Sequence, residues 1–163
     1  DYQKNQEFLI ELLQKLKAIN SMYCLAFIGD GTEMQNIRTL AEQKGVQQQC
    51  YFMGSRADAN EFYNAFDIFL LPSRFEGLGI VAVEAQVNGL SSIVSGGVPE
   101  EAILCPNVIR INLEDTEEWK KSVLSCKLVR KEENAKVVEE AGYSIEKAAT
   151  LLENFYLLRG NTK

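Results

Sequence analysis

Glu76 and Glu84 are the residues of this chain best placed to do chemistry. They flank two glycines in the stretch SRFEGLGIVAVEAQVNG, residues 73 to 89. Gly77 and Gly79 let the backbone approach a ligand closely, and the amides around them open a helix whose N-terminus favours an anion. A phosphate placed there meets free N–H groups. Glu84 lies about 7 Å further along that helix, five residues past Gly79 at 1.5 Å per residue. It stands in an apolar run of Ile80, Val81, Ala82, Val83, Ala85 and Val87, where an ionised side chain is costly unless paired. Carboxylates accept hydrogen bonds from sugar hydroxyls, so two of them beside an anion site point to a phosphorylated sugar. The competing reading makes Glu76 a solvated loop residue and Glu84 a helix residue paired with a lysine. Spacing alone leaves both open.

The elements that must position these residues follow from periodicity. Residues 5 to 19 predict an amphipathic helix with Phe8, Leu9, Leu12, Leu13, Leu16 and Ile19 on its apolar face. MYCLAFIGDG reads as a buried strand and turn. A helix over 32–44 places Met34, Ile37, Leu40 and Ala41 together and closes at Gly45. CYFMG, DIFLLP, LSSIVSGG and VIRIN read as further strands, with a short helix in ADANEFYNAF and a helical turn in PEEAIL. Beyond Asp115 the chain turns helical, with breaks near Leu128 and at Gly142. Continuous apolar strands alternating with helices predict a doubly wound, mainly parallel α/β sheet covered on both faces. Such a sheet normally opens with a strand, whereas this chain goes straight into a helix, so a missing first strand is expected.

Composition narrows the function. The 163 residues suit a single domain, 46% hydrophobic and 25% charged, without a repeat or composition shift. A net charge of −6 argues against nucleic acid as a partner, which needs a concentrated basic face. No apolar run approaches a membrane span, and the polar start DYQKNQEFLIEL is no secretory signal. Cys24, Cys50, Cys105 and Cys126 are widely spaced and read as reduced, mostly buried thiols of an intracellular protein. The chain has no histidine, which removes histidine-activated nucleophiles and the usual histidine-containing zinc sites.

In a doubly wound sheet, ligands bind beyond the carboxyl ends of the strands. GDGTEM, GSRAD and SRFEGLG are the loops predicted there. Gly29-x-Gly31 hints at a dinucleotide site, but the third glycine is missing and the next strand ends without the acidic residue that would hold a ribose. A tight strand-to-helix turn is the simpler account, and a nicotinamide site is not expected.

The segment DIFLLPSRFEGLGIVAVEAQVNGLSSIVSGGVPE resembles the donor-binding half of the retaining family-four glycosyltransferases, which have two Rossmann-like domains (the GT-B fold). The matching elements are Asp67, Pro72-Ser73, Glu76-Gly77-Leu78-Gly79, Glu84-Ala85, Gly89 and Ile93-Val94. LAFIGDGTEM and CYFMGSR resemble the two preceding strand–turn segments, and AGYSIEKAATLLENFY the closing helices of polysaccharide-assembly members. The resemblance implies that Leu78 and Gly79 amides hold the donor diphosphate, together with Lys4 and an arginine from a strand this chain lacks. It implies that Glu84 grips the nucleotide ribose and that Glu76, the catalytic candidate, lies by the donor sugar. Ser55 and Arg56 would meet the base, with Gly29 and Gly77 completing the loops around the nucleotide.

The implied activity is transfer of a hexose-type sugar, with retention, from a nucleotide diphosphate to an acceptor hydroxyl in polysaccharide or glycoconjugate assembly. The donor is expected to be UDP-linked. No Asp-x-Asp chelating pair occurs, so neither cofactor nor metal is expected. The acceptor would bind to a missing N-terminal domain, leaving this domain inactive by itself. A cytoplasmic setting follows, with any contact to the inner face of a membrane made by the missing half. Alternatives are a non-catalytic nucleotide-sugar-binding or docking subunit, a sugar-nucleotide epimerase of similar architecture, and a degenerate fold without a ligand.

Overall fold

The first helix, α1 (Gln6–Lys17), explains the organisation of the molecule, because it buries two faces at once. In the computed structural model, which describes residues 2–160, Ile10 and Leu13 pack with Ile37, Ala41 and Val46 on one side. Phe8, Leu9, Leu12 and Leu16 pack on the other with Ile93, Ile111, Trp119 and Val123. Trp119 is fully buried, meets the Phe8 ring edge-on at 5.0 Å and donates its indole N–H to the Asn112 carbonyl. Ile19 departs from expectation. The helix ends at Lys17, the chain turns away, and Ile19 is exposed.

The strands β1 (Leu25–Ile28) and β2 (Cys50–Gly54) pair in parallel, with α2 (Met34–Gln43) between them in sequence. Gly45 ends that segment with a positive φ, as its position predicts. β3 (Ile68–Leu71), β4 (Ser91–Ser95) and β5 (Val108–Ile111) form a second parallel set. All the pairings are parallel and helices flank them, so the expected α/β class holds. The sheet is nonetheless in two pieces among the described residues: β1 and β3 are not hydrogen-bonded to each other. Leu25 and Phe27 of β1 and Ile68 and Leu70 of β3 still pack on the same core beside α1.

The helix α3 (Ile80–Val87) follows β3 through the glycine loop, and Gly79 caps it in a left-handed conformation, φ 71°. Ala82, Val83, Ala85 and Gln86 face inward, which turns Ile80, Glu84 and Val87 outward on a common stripe. Gln86 is fully buried without penalty. Its amide donates to the Ala82 and Ala102 carbonyls, and its oxygen accepts from the Leu104 and Cys105 amides. The C-terminal helices are α4 (Thr116–Ser125), α5 (Asn134–Glu140) and α6 (Ile145–Gly160). Asp115 caps α4 by accepting the Glu118 amide, and α6 exposes Ile145, Leu151 and Leu157.

The four cysteines are free, as expected, but not mostly buried. Cys105 alone is buried; Cys50 and Cys126 are half-buried and Cys24 is exposed. Cys24 and Cys50 stand at or beside the starts of edge strands, where apolar sequence does not guarantee cover. No helix among the described residues is long and apolar enough to cross a membrane.

Candidate functional site

Glu76 and Glu84 occupy opposite environments, and the assignment is the reverse of what their local sequence implies. The Glu76 side chain is 6% exposed. Its Oε1 accepts from Lys4 Nζ at 2.7 Å and from the Ser73 hydroxyl at 2.5 Å, while Oε2 lies 3.5 Å from Gln3 Nε2. Glu76 is thus no solvated loop residue; it is a buried carboxylate with a cation and a hydroxyl on it, the pairing that burial demands. Glu84 is exposed despite its apolar neighbours, because helical phase places it on the outward stripe of α3. The lysine partner considered for it does not occur among the described residues; the Tyr63 hydroxyl donates to its Oε2 at 3.0 Å.

Three segments build the Glu76 pocket. Asn5, in a left-handed conformation that asparagine tolerates, donates to the Pro72 carbonyl and accepts from Arg74, fixing the start of α1 against the end of β3. That contact delivers Gln3 and Lys4 to the carboxylate. The loop after β4 closes the other side: the Glu76 amide donates to the Gly97 carbonyl and Ser95 Oγ bonds the Ser73 carbonyl. A Cβ on Gly97 would lie 2.4 Å from the Arg74 carbonyl oxygen, so only glycine fits. Arg110 braces this loop by donating to the Gly96 and Val98 carbonyls.

Beside this pocket, the backbone amides of residues 77–81 have no protein acceptor among the described residues. They crown the N-terminus of α3, and Leu78 and Gly77 are exposed while Gly79 is buried. The arrangement can take an anion: unsatisfied N–H groups, a helix dipole and the Lys4 ammonium 2.7 Å from Glu76 converge on one loop. Among the described residues no group of three or more His, Cys, Asp or Glu side chains is gathered as a metal site.

The remaining candidates sit on the β1–β2 side. Gly29 has φ 124° and donates its amide to the Gly54 carbonyl at 2.8 Å, a strand-end turn. Ser55 is exposed. Arg56 is exposed and forms a two-pronged pair with Asp58, 2.7 Å and 2.8 Å, whose hydrogen bonds hold the Asp58 carboxyl below its ordinary range. No hydrogen bond or ion pair joins Ser55 or Arg56 to the glycine loop among the described residues. Sequence reasoning missed Gln3, Tyr63 and Gly97 as parts of the site. Their roles depend on contacts across 18 to 73 positions, which no local pattern records. Ser73 was visible as half of the Pro-Ser pair, but not as a carboxylate partner.

These features define a parallel, helix-covered α/β domain with a glycine loop at the start of α3 and a carboxylate on either side of it. The chain belongs to the family of glycosyl transferases group 1, whose model matches residues 1–145. It is similar to EpsF of Bacillus subtilis (strain 168), whose name places it among the glycosyltransferases, with 36% identity over 98 residues, 60% of this chain and 26% of EpsF. It is also similar to the O-antigen biosynthesis glycosyltransferase WclY of Escherichia coli, 30% identical over 84 residues, 52% of this chain and 24% of WclY. Among solved structures, Anabaena Alr3699/HepE in complex with UDP and glucose superposes with a TM-score of 0.81 at 17% identity, over 96% of this chain and 45% of that one. The last likeness shows the fold. The chain spans about a quarter of the curated relatives' length in these matches, and under half of the solved chain.

Proposed function

We propose that this chain is the donor-binding half of a retaining glycosyltransferase that moves a hexose-type sugar from a nucleotide diphosphate to an acceptor hydroxyl. The observation that carries the reading is the loop at the start of α3. Among the described residues its amides at 77–81 lack protein acceptors beside Lys4, and the Glu84 carboxylate stands on the outward stripe of the same helix. The diphosphate rests on the amides of Leu78 and Gly79 with Lys4 as countercharge. Glu84 accepts the ribose hydroxyls, and Glu76 supports the donor sugar from its buried position. Ser55 and Arg56, with Gly29 behind them, face the base, which we take to be uracil. When the bond from the anomeric carbon to the diphosphate breaks, charge grows on the leaving oxygens, where preorganised dipoles and the ammonium stabilise it. No metal or other cofactor enters this scheme.

The names of the similar proteins support polysaccharide or glycoconjugate assembly as the setting, and the free thiols support a reducing, cytoplasmic one. The acceptor binds elsewhere in the whole protein, together with any contact to a membrane. In the doubly wound order 3-2-1-4-5-6 the first strand stands between the second and the fourth, and on that order a further parallel strand belongs between β1 and β3. Positioning of both substrates supplies much of the acceleration, so this domain alone turns over little.

The test is a titration of the protein with UDP, GDP and ADP followed by amide NMR shifts. One diphosphate is expected to shift residues 77–79 and the neighbourhood of Glu84. Glu84→Ala should weaken it about 10- to 160-fold, the equivalent of about 1.5–3 kcal/mol for hydrogen bonds to a charged group. Unchanged affinity in a folded Glu84→Ala protein overturns the ribose assignment.

A further inference from the structure

The 3-10 turn Ala59–Asn64 carries two aromatic rings, each of which holds a charged side chain of the candidate site. The Arg56 guanidinium lies over the Phe62 ring at 4.8 Å. The Tyr63 hydroxyl lies 3.0 Å from Glu84 Oε2 and 3.3 Å from the Val81 carbonyl oxygen. A phenol has one proton to give, and the charged carboxylate is the stronger acceptor.

This turn is anchored from a distance. Arg130 donates to the carbonyls of Tyr63 at 2.5 Å, Phe66 at 2.7 Å and Asn88 at 2.9 Å. One guanidinium therefore ties the turn to the C-terminal end of α3, the helix that bears Glu84. The Tyr63 ring also packs on Phe69, 6.0 Å between centroids. Burial first, and then the Glu84 charge, push the Tyr63 phenol above its ordinary value, so it remains a donor throughout the neutral range. An exposed glutamate without such a partner samples several rotamers and loses that freedom on binding.

We propose that Tyr63 is a positioning residue that holds one carboxylate oxygen of Glu84 and so presents the other to the ribose diol of a nucleotide. The inference rests on the ribose reading above. It assigns discrimination for a ribose to a pair, Tyr63 and Glu84, with Arg130 setting the distance between them.

Tyr63→Phe keeps the ring and removes the hydroxyl. Dissociation constants are measured calorimetrically on the intact protein, for the tightest of UDP, GDP and ADP and for its 2′,3′-dideoxy counterpart. The ribonucleotide is expected to weaken about 3- to 10-fold, the worth of one hydrogen bond, while the dideoxy ligand is unaffected. In a Glu84→Ala background Tyr63→Phe should change neither constant. Arg130→Lys, which loosens the turn without touching Glu84, should lower the same ribose preference. Equal weakening of both ligands by Tyr63→Phe means a general structural role and overturns the proposal. A ribose preference that responds to Glu84→Ala but not to Tyr63→Phe or Arg130→Lys overturns it alone. A preference indifferent to Glu84→Ala, or no binding of any of the three diphosphates, overturns the ribose reading and this inference with it.

Discussion

Replacing Glu76 by alanine tests whether the buried carboxylate organises the site. The substitution removes the acceptor of a fully buried hydroxyl, Ser73, and the partner of an ammonium that is 35% exposed. The buried hydroxyl left without a partner costs about 1–3 kcal/mol. Lys4 can turn to water, so its loss adds no more than about 1 kcal/mol. Together the expected destabilisation is about 1–4 kcal/mol, which for a chain of this size lowers Tm by about 2–16 °C. Urea denaturation at neutral pH measures it, with the slope m unchanged if the unfolded state is unaltered. Glu100→Ala is the control, since that side chain is 84% exposed and pairs with Arg110 at the surface. Glu76→Ala,Ser73→Ala should lose less than the sum of the single changes, because the second removes the orphan left by the first. A Glu76→Ala loss no larger than that of Glu100→Ala would refute the reasoning: the carboxylate would then be a solvated loop residue.

Two further outcomes follow from the same geometry. Gly97→Ala should destabilise by about 1–3 kcal/mol, because its methyl meets the Arg74 carbonyl at 2.4 Å, whereas Gly96→Ala, with open space around it, should stay within about 0.5 kcal/mol; comparable midpoints for the two would show that the loop yields freely. Burial, with the Cys24 thiol second, pushes the Cys50 thiol from its ordinary 9.0 up to about 11. A thiol that ionises less readily when folded stabilises fully below its unfolded value, and that contribution is lost as pH rises through the folded one. Denaturation curves from pH 8 to 11.5 should therefore fall more steeply for the unaltered protein than for Cys50→Ala. Parallel curves would contradict the burial account.

Much of the fold is legible in the residues, because each element carries its own period and its own stop. Gly45 and Gly79 mark helix boundaries by the backbone conformation they permit, and α1 shows its apolar residues at helical spacing. Helical phase within α3 is harder to read. Seven of its eight residues are uncharged, so composition makes Glu84 look buried, while the inward face is set by the neighbours of Ala82, Val83 and Gln86. Gln86 shows the same blindness from the other direction, since the four groups that satisfy it lie up to 19 positions away. The glycine loop and both glutamates can be picked out locally; that Lys4 and Ser73 converge on one of them, and Tyr63 on the other, is a property of the packed chain. The break between β1 and β3 is equally silent, because strand propensity says nothing of which strands pair.

That break also bears on how the molecule behaves in a test tube. β1 and β3 each turn an edge without a strand partner among the described residues, with apolar side chains close behind. Such an edge is a template for any extended chain, including another copy of itself. Each strand is only four residues long, which limits the adhesion, and the net charge of −6 keeps copies apart. Salt removes that second protection, since above about 0.1 M the repulsion is screened within about 10 Å. The domain in isolation is therefore a colloidal problem before it is a folding one, and dilute, low-salt buffer is its natural medium.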